Sequence, residues 1–184
     1  MNSVPYEPAE VVVPAEAIAA RLPVLASEIV SLYGADDVVI IPIMTGAFVF
    51  AADLVRRMPN RLRVDTITVR SYGRGTVSQG PRVEGAVSDV QGRHVLLVDD
   101  ILDSGRTLRF LRADMLERGA ASVRACVLLR KRVPAAMETP CEFVGFDIDD
   151  LFVAGYGLDC DGWFRNLPDV VSLRRPGEAS PVVR

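Results

Sequence analysis

Continuous apolar runs recur along the chain and predict buried strands. Three short segments, 38–43, 94–99 and 123–129, are rich in branched apolar residues without polar alternation. Such runs are typical of strands that are covered on both faces of a parallel sheet. A fourth segment, 62–70, alternates apolar with polar residues and also predicts a strand.

Segments of helical periodicity lie between these strands. Apolar residues recur at helical spacing over 14–33, 47–58 and about 105–118. Pro23 interrupts the first segment, so we expect a kink or two short helices there. Because strands alternate with helices, the sequence predicts an α/β fold, in which helices cover both faces of a doubly wound, mostly parallel sheet.

The rest of the chain predicts smaller features around this sheet. The 184 residues suit a single domain, residues 1–184, with its core at about 35–133. We expect the N-terminal segment and residues 134–173 to form a small hood or a sheet edge, and residues 174–184 to form a frayed tail. Short strands are predicted within this part at 142–146, 152–156 and 170–173.

The segment 71–86, SYGRGTVSQGPRVEGA, has a different composition. It contains four glycines and one proline and has few apolar residues, so it predicts a long mobile loop or a loose hairpin. A loop of this length inside a compact domain is usually functional or disordered.

Composition narrows the possible partners. The formal net charge is −3, so the strongly basic footprint of a nucleic-acid-binding protein is absent. The longest uncharged apolar run, 38–52, is shorter than the roughly 20 residues that span a bilayer. The first residues lack the pattern of a signal peptide, and three cysteines with one histidine form no recognisable metal spacing. We expect a cytoplasmic protein with no nucleic-acid or membrane partner.

The stretch VLLVDDILDSGRTL, residues 95–108, carries the most chemistry. A buried strand ends in Asp99 and Asp100, and the turn 103–107, which begins with Asp103, leads into a helix. Ligands of doubly wound sheets bind beyond the carboxyl ends of the strands, and a helix N-terminus binds phosphate well. Carboxylates accept hydrogen bonds from sugar hydroxyls or hold hydrated Mg²⁺. The stretch therefore predicts a site for a phosphorylated sugar.

Two other interpretations of this stretch are simpler or belong to another class of protein. Asp103 or Ser104 could serve only as a helix N-cap, with the acidic pair facing solvent. The chain could instead be a phospho-acceptor receiver domain, in which a strand also ends in paired acids. Receivers carry these acids near the N-terminus and lack the Ser-Gly-Arg-Thr turn, which disfavours that alternative.

VLLVDDILDSGRTL closely resembles the phosphoribosyl-diphosphate (PRPP) signature of the type I phosphoribosyltransferases. Asp103 stands where the hypoxanthine-guanine branch has its acidic residue. The resemblance extends over about residues 10–173. Four further segments are similar to family motifs in the same order: IMTGAFVFAADLVRRM, RSYGRGTVSQGPRVEG, LLRKRVP and FVGFDIDDLFVAGYGLDCDGWFRNLPDV.

The resemblance implies two sets of residues that bind the sugar and its leaving group. The ribose-phosphate part of PRPP would be bound by Asp99, Asp100, Ile101, Leu102, Asp103, Ser104, Gly105, Arg106 and Thr107. Pyrophosphate would be bound by Thr45, Gly46, Ser71, Tyr72 and Arg165. Mg²⁺ would be held near Asp99, Asp100 and Asp159. Ser71 and Tyr72 begin the segment 71–86, which resembles the mobile lid of the family.

The resemblance also implies a purine site. Asp103 would be the catalytic residue that exchanges a proton with purine N7, and Lys131 would donate to the exocyclic O6. Phe152 would stack on the purine, Val153 would offer backbone groups to its edge, and Asp159 would also belong to the purine site. Lys131 also belongs to the basic run Arg130-Lys131-Arg132, which could simply be a solvated strand end.

These expectations identify the chain as a 6-oxopurine phosphoribosyltransferase that would make IMP or GMP and pyrophosphate from PRPP and a free base. The alternatives are a PRPP- or nucleotide-sensing regulator that binds RNA, and a phosphoribosyltransferase for xanthine. One departure is Met44-Thr45-Gly46, where the family usually has Leu-Lys-Gly; Thr45 keeps the backbone amide but loses the charge. Relatives are usually dimers or tetramers, and the apolar face of 47–58 could form the interface. The preference between hypoxanthine and guanine stays open.

Overall fold

The computed structural model describes residues 5–34, 37–58, 62–71, 81–84 and 89–177. The strands in these ranges are β1 Glu7–Val13, β2 Val38–Met44, β3 Arg63–Val64, β4 Ile67–Ser71, β5 Pro81–Glu84, β6 His94–Leu102, β7 Ser122–Lys131, β8 Phe143–Ile148, β9 Val153–Ala154 and β10 Val170–Arg174. The helices are α1 Ala15–Tyr33, α2 Phe48–Val55, α3 Arg106–Glu117 and α4 Pro134–Met137.

The large sheet has the strand order β5-β4-β2-β6-β7-β8, and β3 also pairs with β2. The five strands from β4 to β8 in this order are parallel, while β5 pairs with β4 in the antiparallel sense. This arrangement confirms the predicted α/β class with a mostly parallel sheet. It also brings the carboxyl ends of β2, β6 and β7 to one edge, where a ligand site is expected.

Two apolar layers cover the large sheet, one on each face. Leu96 and Val98 of β6 pack in the layer that contains α1 and α2, whereas Val95 and Leu97 pack in the layer that contains α3. Because alternate residues of one strand enter different layers, the strand needs apolar residues at every position. This packing explains why 94–99 shows no polar alternation.

The hood is the small antiparallel sheet β1-β10-β9, together with the loop 155–169. Its two outer strands come from distant parts of the chain. The Glu10 amide donates to Ser172 Oγ at 3.1 Å, and the Ala15 amide donates to Asp169 Oδ1 at 2.7 Å. The strand β8, expected at an edge or in the hood, forms the edge of the large sheet instead of joining the hood.

Several expected elements differ in extent. The helix α1 continues through Pro23, so the expectation of two short helices is wrong. Leu22 and Leu25, on either side of Pro23, are buried in one apolar layer, which holds the helix together. The segment 62–70 is divided into β3 and β4. Neither β1 nor α4 was expected. Strand β5 pairs with β4 as in the hairpin alternative, while 72–80 and 85–88 lie outside the described residues.

Over the described ranges, no helix combines the length and the apolar character that crossing a membrane requires.

Candidate active site

The turn after β6 forms the N-terminus of α3. Its N-cap is Gly105, with φ 70°, so neither Asp103 nor Ser104 occupies the capping position and that simpler interpretation of the turn is wrong. Asp99 and the residues 101–108 line a cavity of about 70 Å³ directly above the turn. The first amides of a helix lack intrahelical partners, so this cavity is suited to an anion.

The turn is supported from behind by a residue of α3 and one after α4. Arg109 Nη2 donates to the Ser104 carbonyl at 2.8 Å, and Arg109 also bonds the Thr139 hydroxyl. Thr139, only 3% exposed, donates in turn to the Ala135 carbonyl at 2.7 Å. A side chain at Gly105 would collide with both Thr139 and Arg109. Sequence reasoning missed this support, because nothing in the sequence brings Thr139 next to the turn.

A second cavity of about 210 Å³ adjoins the first, since Ile101 and Asp103 line both. Its walls come from β6, from the end of β7 and from the hood. The lining residues are Asp100, Ile101, Asp103, Lys131, Leu151, Phe152, Val153, Leu158 and Asp159. Every residue that was expected to contact the purine therefore lies on this one cavity.

Lys131 is held between two carboxylates. Its Nζ lies 2.8 Å from Asp150 Oδ1 and 3.5 Å from Asp103 Oδ1, and its side chain is 12% exposed. This burial is not that of a solvated strand end. Asp150 is a partner that sequence reasoning missed; the only available signal was the pair Asp149-Asp150 directly before Phe152.

The basic neighbours of Lys131 are paired as well. Arg130 Nε lies 2.7 Å from Asp147 Oδ1, and Arg132 Nη1 lies 3.1 Å from Asp149 Oδ1. Contact with Arg130 lowers the pKa of Asp147 below its usual value. The basic run is thus matched by the acidic end of β8, and it does not present an unbalanced positive surface.

Asp99 and Asp100 are adjacent in the chain but line different cavities. Asp99 is 8% exposed, so the interpretation of the pair as solvent-facing is wrong for this residue. Burial, reinforced by the charge of Asp100, raises the pKa of Asp99 well above its ordinary value. Burial also raises the pKa of Asp100, with Arg165 acting in the opposite direction. A buried carboxylate beside a half-buried one favours a ligand that brings hydroxyl donors or a cation.

The loop after β2 contacts this acidic pair. A Cβ at Gly46 would collide with the Asp100 carboxylate, and a Cβ at Gly157 would collide with the Gly46 carbonyl. Glycine at both positions therefore lets the loop, β6 and the hood meet. Thr45 is exposed and follows a cis peptide bond after Met44.

Arg165 and Asp159 form a pair in the hood loop. Arg165 Nη2 lies 2.7 Å from Asp159 Oδ1, and Arg165 Nη1 donates to the Gly157 carbonyl at 2.5 Å. The Gly162 amide donates to Asp159 Oδ2 at 2.6 Å. Of the other residues expected to bind pyrophosphate, Ser71 ends β4 and Tyr72 lies outside the described residues.

The carboxylates of the site suit Mg²⁺ better than a metal ion that is bound by protein ligands alone. In the described part of the chain, no cluster of three or more His, Cys, Asp or Glu residues could hold an ion by itself. Mg²⁺ is usually bound by one or two carboxylates together with water and substrate phosphates. Asp100 and Asp159 line the same cavity and offer such a pair.

The chain is similar to known proteins over most of its length. Residues 10–161 match the family model of the phosphoribosyl transferase domain. The chain is 39% identical to a hypoxanthine-guanine phosphoribosyltransferase from Aquifex aeolicus, in a match that covers 84% of this chain and 89% of that protein. It is 37% identical to a hypoxanthine phosphoribosyltransferase from Escherichia coli, covering 86% and 92% of the two chains.

Solved structures include close matches. The crystal structure of a hypoxanthine-guanine phosphoribosyltransferase from Bacillus anthracis superposes with a TM-score of 0.84 at 31% identity, covering 92% of this chain and 99% of the other.

Proposed function

The chain belongs to the type I phosphoribosyltransferase family, in its hypoxanthine-guanine branch, and we propose that it is a 6-oxopurine phosphoribosyltransferase of purine salvage. It transfers the 5-phosphoribosyl group of PRPP to N9 of hypoxanthine or guanine and releases IMP or GMP with pyrophosphate. The observation that carries this proposal is the pair of adjoining cavities, one at a helix N-terminus and one beside the largely enclosed side chain of Lys131, which share Asp103.

The smaller cavity receives the ribose 5-phosphate. The amides of the turn 104–107, the hydroxyls of Ser104 and Thr107 and the charge of Arg106 all favour a phosphate there. Asp99 and Asp100 then accept hydrogen bonds from the ribose hydroxyls. The burial of Asp99 and the partial burial of Asp100 support this role, because hydroxyl donors stabilise carboxylates that have lost contact with water.

The larger cavity receives the purine. Lys131 donates to the exocyclic O6, Asp103 exchanges a proton with N7, and Phe152 stacks on the ring. Val153 offers backbone groups to the purine edge, and Asp159 closes the far side. The distance of 3.5 Å between Lys131 Nζ and Asp103 Oδ1 supports this pairing, because O6, which accepts, and N7, which exchanges the proton, are neighbours on one edge of a 6-oxopurine.

Pyrophosphate leaves from the side where the loop after β2 faces the hood. Gly46, the amide of Thr45, Arg165 and the start of the lid, Ser71 and Tyr72, contact it. Mg²⁺, held by Asp100 and Asp159 with Asp99 nearby, would neutralise charge on the departing pyrophosphate. Arg165 contributes a fork of donors suited to the same anion.

In the reaction, the bond between the anomeric carbon and the pyrophosphate oxygen breaks, and a bond from purine N9 to that carbon forms. The proton lost from the purine is accepted through Asp103. A developing positive centre on the sugar reacts readily with water, so the segment 71–86 is well suited to close over it.

We also propose that the chain is one cytoplasmic phosphoribosyltransferase domain and that it acts as a homodimer or homotetramer. Phe48 on the apolar helix α2 is 42% exposed, which supports this helix as the subunit interface.

A PRPP-dependent assay with hypoxanthine, guanine, xanthine and adenine tests the proposal. We expect turnover with hypoxanthine, guanine or both, with a requirement for Mg²⁺, and essentially none with adenine. Preferred turnover of xanthine would instead identify a phosphoribosyltransferase for xanthine. Absence of turnover together with salt-dependent RNA binding would assign the regulator.

A further inference from the structure

The ring of Phe152 is supported from outside the cavity by Tyr6. Phe152 lines the larger cavity but is 48% exposed, which is high for a ring that must offer a fixed surface. The two ring centroids lie 5.0 Å apart with an interplanar angle of 70°, the edge-to-face geometry that aromatic pairs prefer.

The hood holds Tyr6 in this position by packing and by strand pairing. The Tyr6 ring packs against a buried cluster that includes Ala154, Val171 and Leu173. Directly after it, Glu7 pairs across the sheet with Arg174, both in register and through an ion pair of 2.9 Å. The guanidinium of Arg175, which follows Arg174, lies 6.0 Å from the centroid of the Tyr6 ring.

The backbone of Phe152 is tied to the same sheet. The Leu173 amide donates to the Phe152 carbonyl at 2.8 Å, so the strand that pairs with β1 also fixes the base of the Phe152 side chain. Without Tyr6, a half-exposed phenylalanine would still be anchored at its backbone but would be free to change rotamer. Ordering such a side chain on ligand binding opposes affinity.

We propose that Tyr6 is a positioning residue, which pre-orients Phe152 for stacking on the purine and thereby sets the affinity for the base but not for PRPP. This inference rests on the proposed function and deepens it. Tyr6 lies outside residues 10–161, which match the family model, so the support comes from a part of this chain that the family motifs do not include.

The test compares four proteins: wild type, Tyr6→Leu, Tyr6→Phe and Glu7→Gln. Tyr6→Leu keeps apolar packing but removes the ring, Tyr6→Phe keeps the ring, and Glu7→Gln is the matched control, since it breaks the neighbouring ion pair. Michaelis constants for hypoxanthine and PRPP, kcat and Tm are measured for each. An aromatic pair contributes enough to change affinity about two- to tenfold.

We expect Tyr6→Leu to raise KM for hypoxanthine about two- to tenfold, with KM for PRPP and kcat unchanged, and we expect Tyr6→Phe and Glu7→Gln to match wild type. A purely structural role predicts a lower Tm and no separation between the two Michaelis constants, and that result would overturn the inference. Unchanged KM for hypoxanthine in Tyr6→Leu, with an active wild type, overturns the role of Tyr6 alone. A wild-type protein that is inactive with all four bases overturns the proposed function and the inference with it.

Discussion

The turn after β6 and the hood meet at one site but are built in different ways. The stretch 99–108, which contains the turn, is continuous, and its strand, its glycine and its helix set most of its conformation. The hood depends on pairs more than 150 residues apart, such as Glu10 with Ser172 and Ala15 with Asp169. In the proposed function, the residues of the phosphate site are therefore continuous in the sequence, although Thr139 supports them from a distance, while the base site is assembled from distant segments.

This difference predicts which kinetic property each substitution changes. A change in the turn should alter PRPP binding or the chemical step and leave the choice of base intact. A change on the hood side should alter the choice of base and leave PRPP binding intact. Asp103 and Ile101 are exceptions, because both residues line the two cavities.

The largest expected effect is that of Asp103→Asn. The amide cannot accept the purine proton, and a positioned general acid–base group contributes about 10² to 10⁴ in rate. We expect kcat with hypoxanthine to fall by at least about 10², while Tm and PRPP affinity change far less, because the amide has the size and shape of the carboxylate. Asp114→Asn, which removes an aspartate paired with Arg118 on the same helix, is the control and should keep wild-type kcat. An undiminished rate in Asp103→Asn would exclude the assigned role.

Lys131→Gln should change the base preference most. An ammonium that donates to O6 rejects an amino group, and a site built on such a hydrogen bond can discriminate by about 10⁴ or more. The glutamine amide can turn its oxygen toward an amino group, so we expect the ratio of kcat/KM for hypoxanthine over adenine to fall by about tenfold or more.

Arg132→Gln is the matched control for that experiment. Arg132 is the next residue and pairs with Asp149, but it does not line the cavity. Its substitution should leave the ratio unchanged. If the ratio stayed constant in Lys131→Gln, Lys131 would have no role in the choice of base. A wild-type preference for adenine would contradict the branch assignment itself.

Local regions of the molecule could be predicted from the sequence, and regions that depend on distant contacts could not. The strands 38–43 and 94–99 and the turn that follows were predictable, because apolar continuity, an acidic strand end and glycine act over short distances. The strand β1 was not, since its partner β10 is about 160 residues away. For the same reason Asp150 and Thr139 were missed; their roles depend on which segments meet, which no local pattern records.

Gly105→Ala tests whether the conformation of the turn determines the affinity for PRPP. Alanine at φ 70° is unfavourable, and its Cβ would also collide with Thr139 and Arg109. We expect KM for PRPP to rise about five- to tenfold, because displacement of the turn misplaces the phosphate. Gly92→Ala is the matched control: its φ is 68°, but the added Cβ would meet open space. Equal kinetics in the two variants would show that the turn tolerates the displacement.

The smallest expected effect is on stability, and it concerns Asp99. In the folded protein its pKa lies well above the ordinary 3.8, because the carboxyl is buried next to Asp100. The folded state therefore keeps a proton that the unfolded chain releases, and the free energy of unfolding decreases as pH rises from about 4 through the folded pKa. Asp99→Asn removes this loss, so at pH 7 to 8, with EDTA present, its Tm should exceed that of wild type, by about 2–4 °C for each kcal/mol gained. The difference should disappear toward pH 4.

Asp147→Asn should change stability in the opposite direction. Pairing with Arg130 lowers the pKa of Asp147, so the ionised carboxylate stabilises the fold at neutral pH. Its loss should therefore lower Tm at neutral pH. Thermal unfolding of the three proteins between pH 4 and 8 measures both signs, and a lower Tm for Asp99→Asn at pH 7 would mean that the charge of Asp99 stabilises the fold.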